Sequence, residues 1–315
     1  MENVRELKPD ETEKWNAFLA KSPQGTLFHR LDWNQMLADT DPQMGGFLTL
    51  VCVDKKDDFL AALTVPRRPA SSRPFSGSPS FGYVTPLLAA SLEYGERHHT
   101  YSSYTPLVDL TKGLVELIPT IHLNNSPDIW DIRSYMFNQW KIETIYTHEF
   151  LRAEDAWGRV SPDLQPILEQ GEKFSLQIAA DDKWDGLFAA RNPQQDATVL
   201  KKRLAWMHAN GTGRLYALTD AQNQPVASTL AMLSQPDGRA YLWGTSSPDV
   251  QTEAVLLWQV CSTLAADFPR IDLGYSTNIQ ISQIKDKLGG KLLSTFVTSY
   301  PKEGKSNKSQ PDGGE

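Results

Sequence analysis

From residue 213 to residue 299 the chain carries a pattern that few architectures accept: three consecutive strand-like runs, then helix, strand, helix, strand. The runs 213–219 (GRLYALT), 225–233 (PVASTLAML) and 239–245 (RAYLWGT) are separated by the turn-formers Ala221-Gln222-Asn223 and Gln235-Pro236-Asp237-Gly238, so neighbouring strands fold back antiparallel. Helices predicted over 252–266 and 279–288 flank a strand at 270–274 and precede one at 291–299. A strand that reaches its neighbour through a helix makes a parallel crossover. Both connections in one segment specify a mixed α/β sheet.

Upstream, helical spacing of Trp15, Phe18 and Leu19 predicts a helix over about 10–21 with Asp10 as its cap. Residues 26–38 read as an extended entry into a second helix, capped by Asp32 and burying Trp33, Met36 and Leu37. The runs 47–53 and 59–66 around the acidic turn 54–58 form a hairpin, and the Pro-, Gly-, Ser- and Arg-rich stretch 67–86 is a long irregular loop of the kind that is often functional. Residues 87–125 give no clear pattern beyond a buried apolar run from Leu114 to Leu123. An aromatic connector over 126–150 leads into the second half, where 153–170 and 181–190 read as helices around a strand at 174–180. A further helix over 196–209 stops at Asn210-Gly211.

Charge narrows the partners. Residues 1–150 hold 14 basic and 19 acidic side chains and residues 151–315 hold 17 and 19, for a net −7. Neither half is the basic domain that duplex nucleic acid requires. The first fifteen residues alternate acids and bases without the apolar core of a secretory signal. The longest weakly polar stretch, 254–266, falls short of the roughly twenty residues that span a bilayer. Cys52 and Cys261 sit in apolar runs, which suits two buried thiols in a reducing compartment. The expectation is a soluble cytoplasmic protein without a membrane span.

Familiar catalytic motifs are missing. No Walker-type loop, HExxH, CxxC or GxSxG elbow occurs, and Gly211-Thr212-Gly213 precedes a strand where a dinucleotide fingerprint must follow one. The adjacent His98 and His99 make a poor metal pair, so no metal site is expected. His29, at a helix entry, reads as a satisfied structural histidine.

A family pattern does emerge from Ala240-Tyr241-Leu242-Trp243-Gly244-Thr245, from Leu256-Leu257-Trp258, from Ile271-Asp272-Leu273-Gly274, and from Lys285 followed by Gly289-Gly290. With these, residues 225–293 resemble the carboxy-terminal domain of the acyltransferases related to the Fem peptidoglycan aminoacyltransferases, a GNAT-superfamily branch with two tandem GNAT-like domains. GTLFHRLDW at 25–33, SPSFGYVTPLL at 78–88 and DIRSYMFNQWKIETIYT at 131–147 are similar to that family's opening helix-turn-helix, substrate-side loop and interdomain connector. The resemblance implies an amino-terminal GNAT-like domain over 1–145 and a second over 146–300; residues 301–315 (PKEGKSNKSQPDGGE) hold no apolar residue and are expected to be a disordered tail. One departure is plain: 161–174 (SPDLQPILEQGEKF) lacks the basic cluster the family carries where its second domain opens.

The implied chemistry is direct attack by an amine or hydroxyl on an activated acyl carbon, with the protein supplying proximity, a proton acceptor and an oxyanion donor. Asp272 and Lys285 are the implied catalytic residues. Arg68, Arg73, Tyr83, Arg133, Trp243, Thr245, Ser276 and Asn278 are the implied substrate-binding set. Each has a structural counterpart reading. Asp272 would cap the turn at Ser276 and Thr277, Lys285 would be a solvated helix lysine, Trp243 would be core, and Arg133 would bridge the domains. No tightly bound cofactor is expected; acyl-CoA or aminoacyl-tRNA would be the donor substrate. The loop 245–254 lacks the glycines that open a pyrophosphate site. The acceptor would be a small molecule or a cell-envelope or polysaccharide precursor, with tRNA disfavoured by the missing basic cluster. The rival readings are a non-catalytic ligand-binding module of the same fold and a structural partner protein.

Overall fold

The computed structural model describes residues 3–41, 44–67, 82–92, 100–118, 120–129, 131–152, 154–179, 188, 196–276 and 278–300. Arg68, Arg73, His98, His99, the helix predicted over 181–190 and the tail 301–315 therefore lie outside the described residues, Phe188 excepted.

Strands β1 (Val4–Glu6), β2 (Phe47–Val53), β3 (Phe59–Pro66) and β4 (Leu87–Leu88) make a four-stranded antiparallel sheet in that order, with helices α1 (Thr12–Lys21), α2 (Leu31–Thr40) and α3 (Thr100–Leu117) in the same half. The predicted hairpin is present residue for residue. Two predicted caps are not. Asp10 lies inside a short 3-10 turn, Pro9–Glu11, that precedes α1, and Asp32 lies in the first turn of α2, where it pairs with Arg30 at 2.5 Å. Helix α3 fills the stretch that gave no pattern, and its Leu110 and Leu114, with Ile121 and Leu123 beyond, are buried.

The second sheet has eight strands. These are β5 (Ile121–Asn124), β6 (Lys141–Leu151), β7 (Ser175–Ala179), β8 (Gly213–Thr219), β9 (Pro225–Ser234), β10 (Arg239–Ser246), β11 (Arg270–Tyr275) and β12 (Lys291–Tyr300), in spatial order β5-β12-β6-β11-β10-β9-β8-β7. Short α4 (Arg133–Phe137) and α5 (Gln165–Glu169) are followed by α6 (Ala197–Ala209), α7 (Val250–Leu264) and α8 (Ile279–Lys287). Residue 145, where the sequence reading divides the chain, falls within β6, which pairs with β12 on one side and β11 on the other. The predicted helix 153–170 is corrected to two short 3-10 turns around α5, because Pro162 and Pro166 lack the amide donors a continuous helix needs. Helix α6 begins where Asp196 accepts from Thr198 N and Val199 N, and ends at Gly211 with φ of +64°.

Among the described residues only β10 and β11 pair in parallel, through the crossover helix α7. Their ladder runs Arg239↔Arg270, Ala240↔Ile271, Tyr241↔Asp272 and then stops, although both strands continue. Each strand shifts register with its outer neighbour just beyond this point: β10 between Trp243 and Ser246, β11 between Asp272 and Tyr275. Gly244 (φ +67°) and Gly274 (φ +71°) lie in those shifts, in a backbone region that favours glycine. The two strands splay apart as a result.

The halves of the chain share a core. Phe28, Trp33 and Leu37 pack with Leu204, Met207, Leu215 and Tyr241. His29 stands at this seam, 2% exposed. Its Nδ1 accepts from Thr26 N at 3.1 Å, so Nε2 carries the hydrogen and donates to Thr85 O at 2.8 Å. It is the structural histidine expected. Burial, only partly opposed by these backbone groups, pushes its pKa down to about 4 from 6.5. The neutral ring therefore contributes stability that is complete above pH 6.5 and declines as the pH falls toward 4, by about 3 kcal/mol. Denaturant titrations across that range should show the decline in the wild type and a flatter profile in His29→Gln.

Candidate active site

A cavity of about 600 Å³ opens where β10 and β11 part. Residues from both halves line it. Tyr83 and Phe28 come from the amino-terminal half, Tyr241 to Thr245 from β10, Asp272 to Tyr275 from β11, and Glu253, Asn278 and Lys285 from the two helices that follow those strands. Six of the residues selected from sequence meet here: Tyr83, Trp243, Thr245, Asp272, Asn278 and Lys285. Ser276 faces an adjoining groove. Arg133 lies elsewhere, on α4, paired with Asp131 at 2.5 Å and stacked over the Tyr104 ring.

Asp272 is 3% exposed and accepts three hydrogen bonds: Tyr83 Oη at 2.5 Å, Thr147 Oγ1 at 2.7 Å and the Gly274 amide at 2.7 Å. Of the turn partners expected for it, Ser276 is corrected and Thr277 lies outside the described residues. The tight αL turn at Gly274 brings that amide back onto the carboxylate, and the hydroxyl oxygen of Ser276 is buried without a partner among the described residues. Burial first, and then the charge of Asp272, holds the Tyr83 phenol well above its ordinary range, so it stays protonated and donates.

Lys285 is also 3% exposed, which corrects the reading of a solvated lysine. Helix α8 packs against α7 and β6, and from it Lys285 Nζ reaches the end of β11, donating to Gly274 O at 2.8 Å and Tyr275 O at 3.1 Å. Burial lowers its pKa to about 8 against the opposing attraction of Asp272 and Glu253. Two acceptors match the two hydrogens of a neutral amine, which leaves the nitrogen lone pair unused. The arrangement holds α8 to the end of β11, and the amine can act as a proton acceptor once the pH approaches 8.

The start of α7 is closed to anions by its own side chains. Asp249 accepts from Thr252 N at 2.7 Å and from Thr252 Oγ1 at 2.9 Å. Glu253, one turn in, receives Ser247 Oγ at 3.2 Å, and burial pushes its carboxyl above the usual range. Asn278 caps α8 through Ile281 N at 2.9 Å, and Thr245 Oγ1 lies 2.9 Å from Thr229 Oγ1. Sequence reasoning missed Glu253 and Tyr275. Glu253 carried a signal in its place four residues after the capping Asp249, whereas nothing in the sequence marks Tyr275. Among the described residues no group of three or more His, Cys, Asp or Glu converges to hold a metal, and no helix is long and apolar enough to cross a membrane.

Neither family models nor curated proteins match this sequence. Solved structures do match. A tandem GNAT protein from the clavulanic acid biosynthesis pathway, solved without acetyl-CoA, aligns with a TM-score of 0.58 at 12% identity over 94% of this chain and 97% of its own. A GNAT-family acetyltransferase from Colwellia psychrerythraea gives 0.55 at 11% over 94% and 98%. L-PGS from Bacillus licheniformis gives 0.50 at 10% over 95% and 94%. At such identities the likeness establishes the fold. The chain is a mixed α/β protein of tandem GNAT architecture.

Proposed function

We propose that this chain is an acyltransferase in which the donor's acyl carbon and the acceptor meet in the splay between β10 and β11. One observation carries the reading: the parallel ladder ends at Tyr241↔Asp272, and beside that opening stands the buried Lys285, held by two backbone carbonyls. The acceptor's amine or hydroxyl attacks the acyl carbon, forming the new N–C or O–C bond. Its proton passes to neutral Lys285 Nζ. Backbone amides of β10 beyond the ladder's end serve the developing oxyanion. As the bond to the leaving group breaks, Lys285 returns the proton to it, and no covalent enzyme intermediate forms. Asp272 orients Tyr83 and the Gly274 turn around the reacting atoms.

Acyl-CoA and aminoacyl-tRNA are the donors that a Fem-like reading offers, and an envelope or polysaccharide precursor is its acceptor. The self-capped start of α7 favours a donor whose phosphates do not rest there, and it is also the observation behind a second reading, a ligand-binding module that has lost transfer. Incubating the protein with each donor and a panel of amine- and hydroxyl-bearing acceptors, scored by mass, separates the two. Transfer is expected. Acceptor-induced thermal stabilisation, with no product from any donor, would establish the binding module instead.

A further inference from the structure

Beside the cavity lies a second concavity, an open groove of about 480 Å³ between β6 and the β11–α8 turn. Tyr275 and Asn278 line both spaces, so the groove continues the cavity outward. Its apolar surface comes from Ile145, Tyr146, Tyr275 and Ile279. Three of these are unusually open for their type: Tyr146 is 55% exposed, Tyr275 37% and Ile279 73%. The hydroxyl side chains Thr144 and Ser282 stand among them, and His148 is held by Asp286 at 2.9 Å. Lys, Arg, Asp and Glu are missing from the lining among the described residues.

That combination selects a ligand. A fully apolar chain would strip water from the hydroxyls without replacing their hydrogen bonds. An anion or cation finds no counter-charge. An uncharged ring with apolar faces and hydroxylated edges satisfies both requirements, stacking on Tyr146 or Tyr275 and bonding to Thr144 and Ser282. We propose that this groove is a subsite for an uncharged glycosyl-type ring, the body of the acceptor whose reactive group reaches the cavity past Tyr275. The proposal rests on the acyltransferase reading for the word acceptor, but not for the binding itself.

The test is a titration of the full chain, followed by saturation-transfer NMR, with methyl glycosides, N-acetylglucosamine and its disaccharide, glucuronate as the charged analogue, and a series of n-alkyl alcohols. Uncharged sugars are expected to bind, glucuronate more weakly, and the alcohols without a gain on lengthening. Tyr146→Ala should weaken sugar binding about fivefold to tenfold, and Ser282→Ala about threefold. Ile279→Ala provides a second groove variant, because its side chain is mostly in solvent and its removal leaves the fold intact. Phe137→Ala, at an exposed aromatic on α4 away from the groove, should change nothing. No sugar binding, binding unaffected by Tyr146→Ala and Ile279→Ala, or alcohols that tighten with length while sugars do not, would each overturn the assignment. Acyl transfer to simple amines without any sugar binding would sink the groove and spare the enzyme; sugar binding without transfer would do the reverse.

Discussion

Arg239→Ala is expected to destabilise the protein by about 3–5 kcal/mol, read as a fall in the urea midpoint at unchanged slope. Arg239 is 1% exposed at the start of β10. It reaches Asp128 at 2.7 Å and Glu149 at 3.2 Å, while its register partner Arg270 reaches the same two carboxylates at 3.3 and 2.8 Å. Removing the buried guanidinium leaves Glu149, 5% exposed, and Asp128 with only a half-exposed arginine between them. Burial raises the Asp128 carboxyl, but Arg239 more than reverses this and holds it below its ordinary value. The pair therefore contributes stability above the usual carboxylate range and loses it as the pH falls. Arg239→Met with Asp128→Leu should recover part of the loss, since a buried ion pair replaced by matching apolar groups is often tolerated. The effect extends to the site. The network clamps β10 to β11 two residues before their ladder ends, and it ties the 126–129 segment of the first half to that junction.

Why the second half was legible and the site was not follows from the range of the forces involved. The strands 213–219, 225–234 and 239–246 and the helices after them are set by alternation, caps and turns, all local to the chain. Asp249, Asn278 and Gly211 act within three residues of themselves. The tie from α8 to the end of β11 is different. That Lys285 turns inward depends on α8 packing against α7 and β6, and that Asp272 faces Tyr83 depends on a contact spanning 189 residues. The motifs around Asp272 and Lys285 suggest those residues through a family resemblance, but nothing local to them points to Tyr83 and Thr147 or to the carbonyls of Gly274 and Tyr275 as their partners. The first half was harder still. Helix α3 contains Pro106, and its apolar residues interleave with Thr, Ser and Gly, which blurs the helical period.

Lys285 carries the largest expected effect on activity. If its neutral amine accepts the acceptor's proton, the transfer rate rises with pH as Lys285 deprotonates, reaching half its maximum near pH 8 and levelling above it. Lys285→Met should lower the rate by about 10²- to 10⁴-fold and abolish that rise. Loss alone would not separate a base from a brace, because the same change strips the donor from Gly274 O and Tyr275 O. Aminoethylation of Lys285→Cys separates them. It restores an amine of lysine's length whose basicity the sulfur lowers, so a base gives recovered activity with its rise displaced to lower pH. A brace gives recovery with the profile in place. Position 285 opens on the cavity, whereas the native thiols Cys52 and Cys261 do not line it, are buried, and have pKa values pushed up by that burial, Cys52 to about 11. A profile that stays fixed under this exchange would remove Lys285 from the chemistry and leave it as the residue that holds α8 to the end of β11.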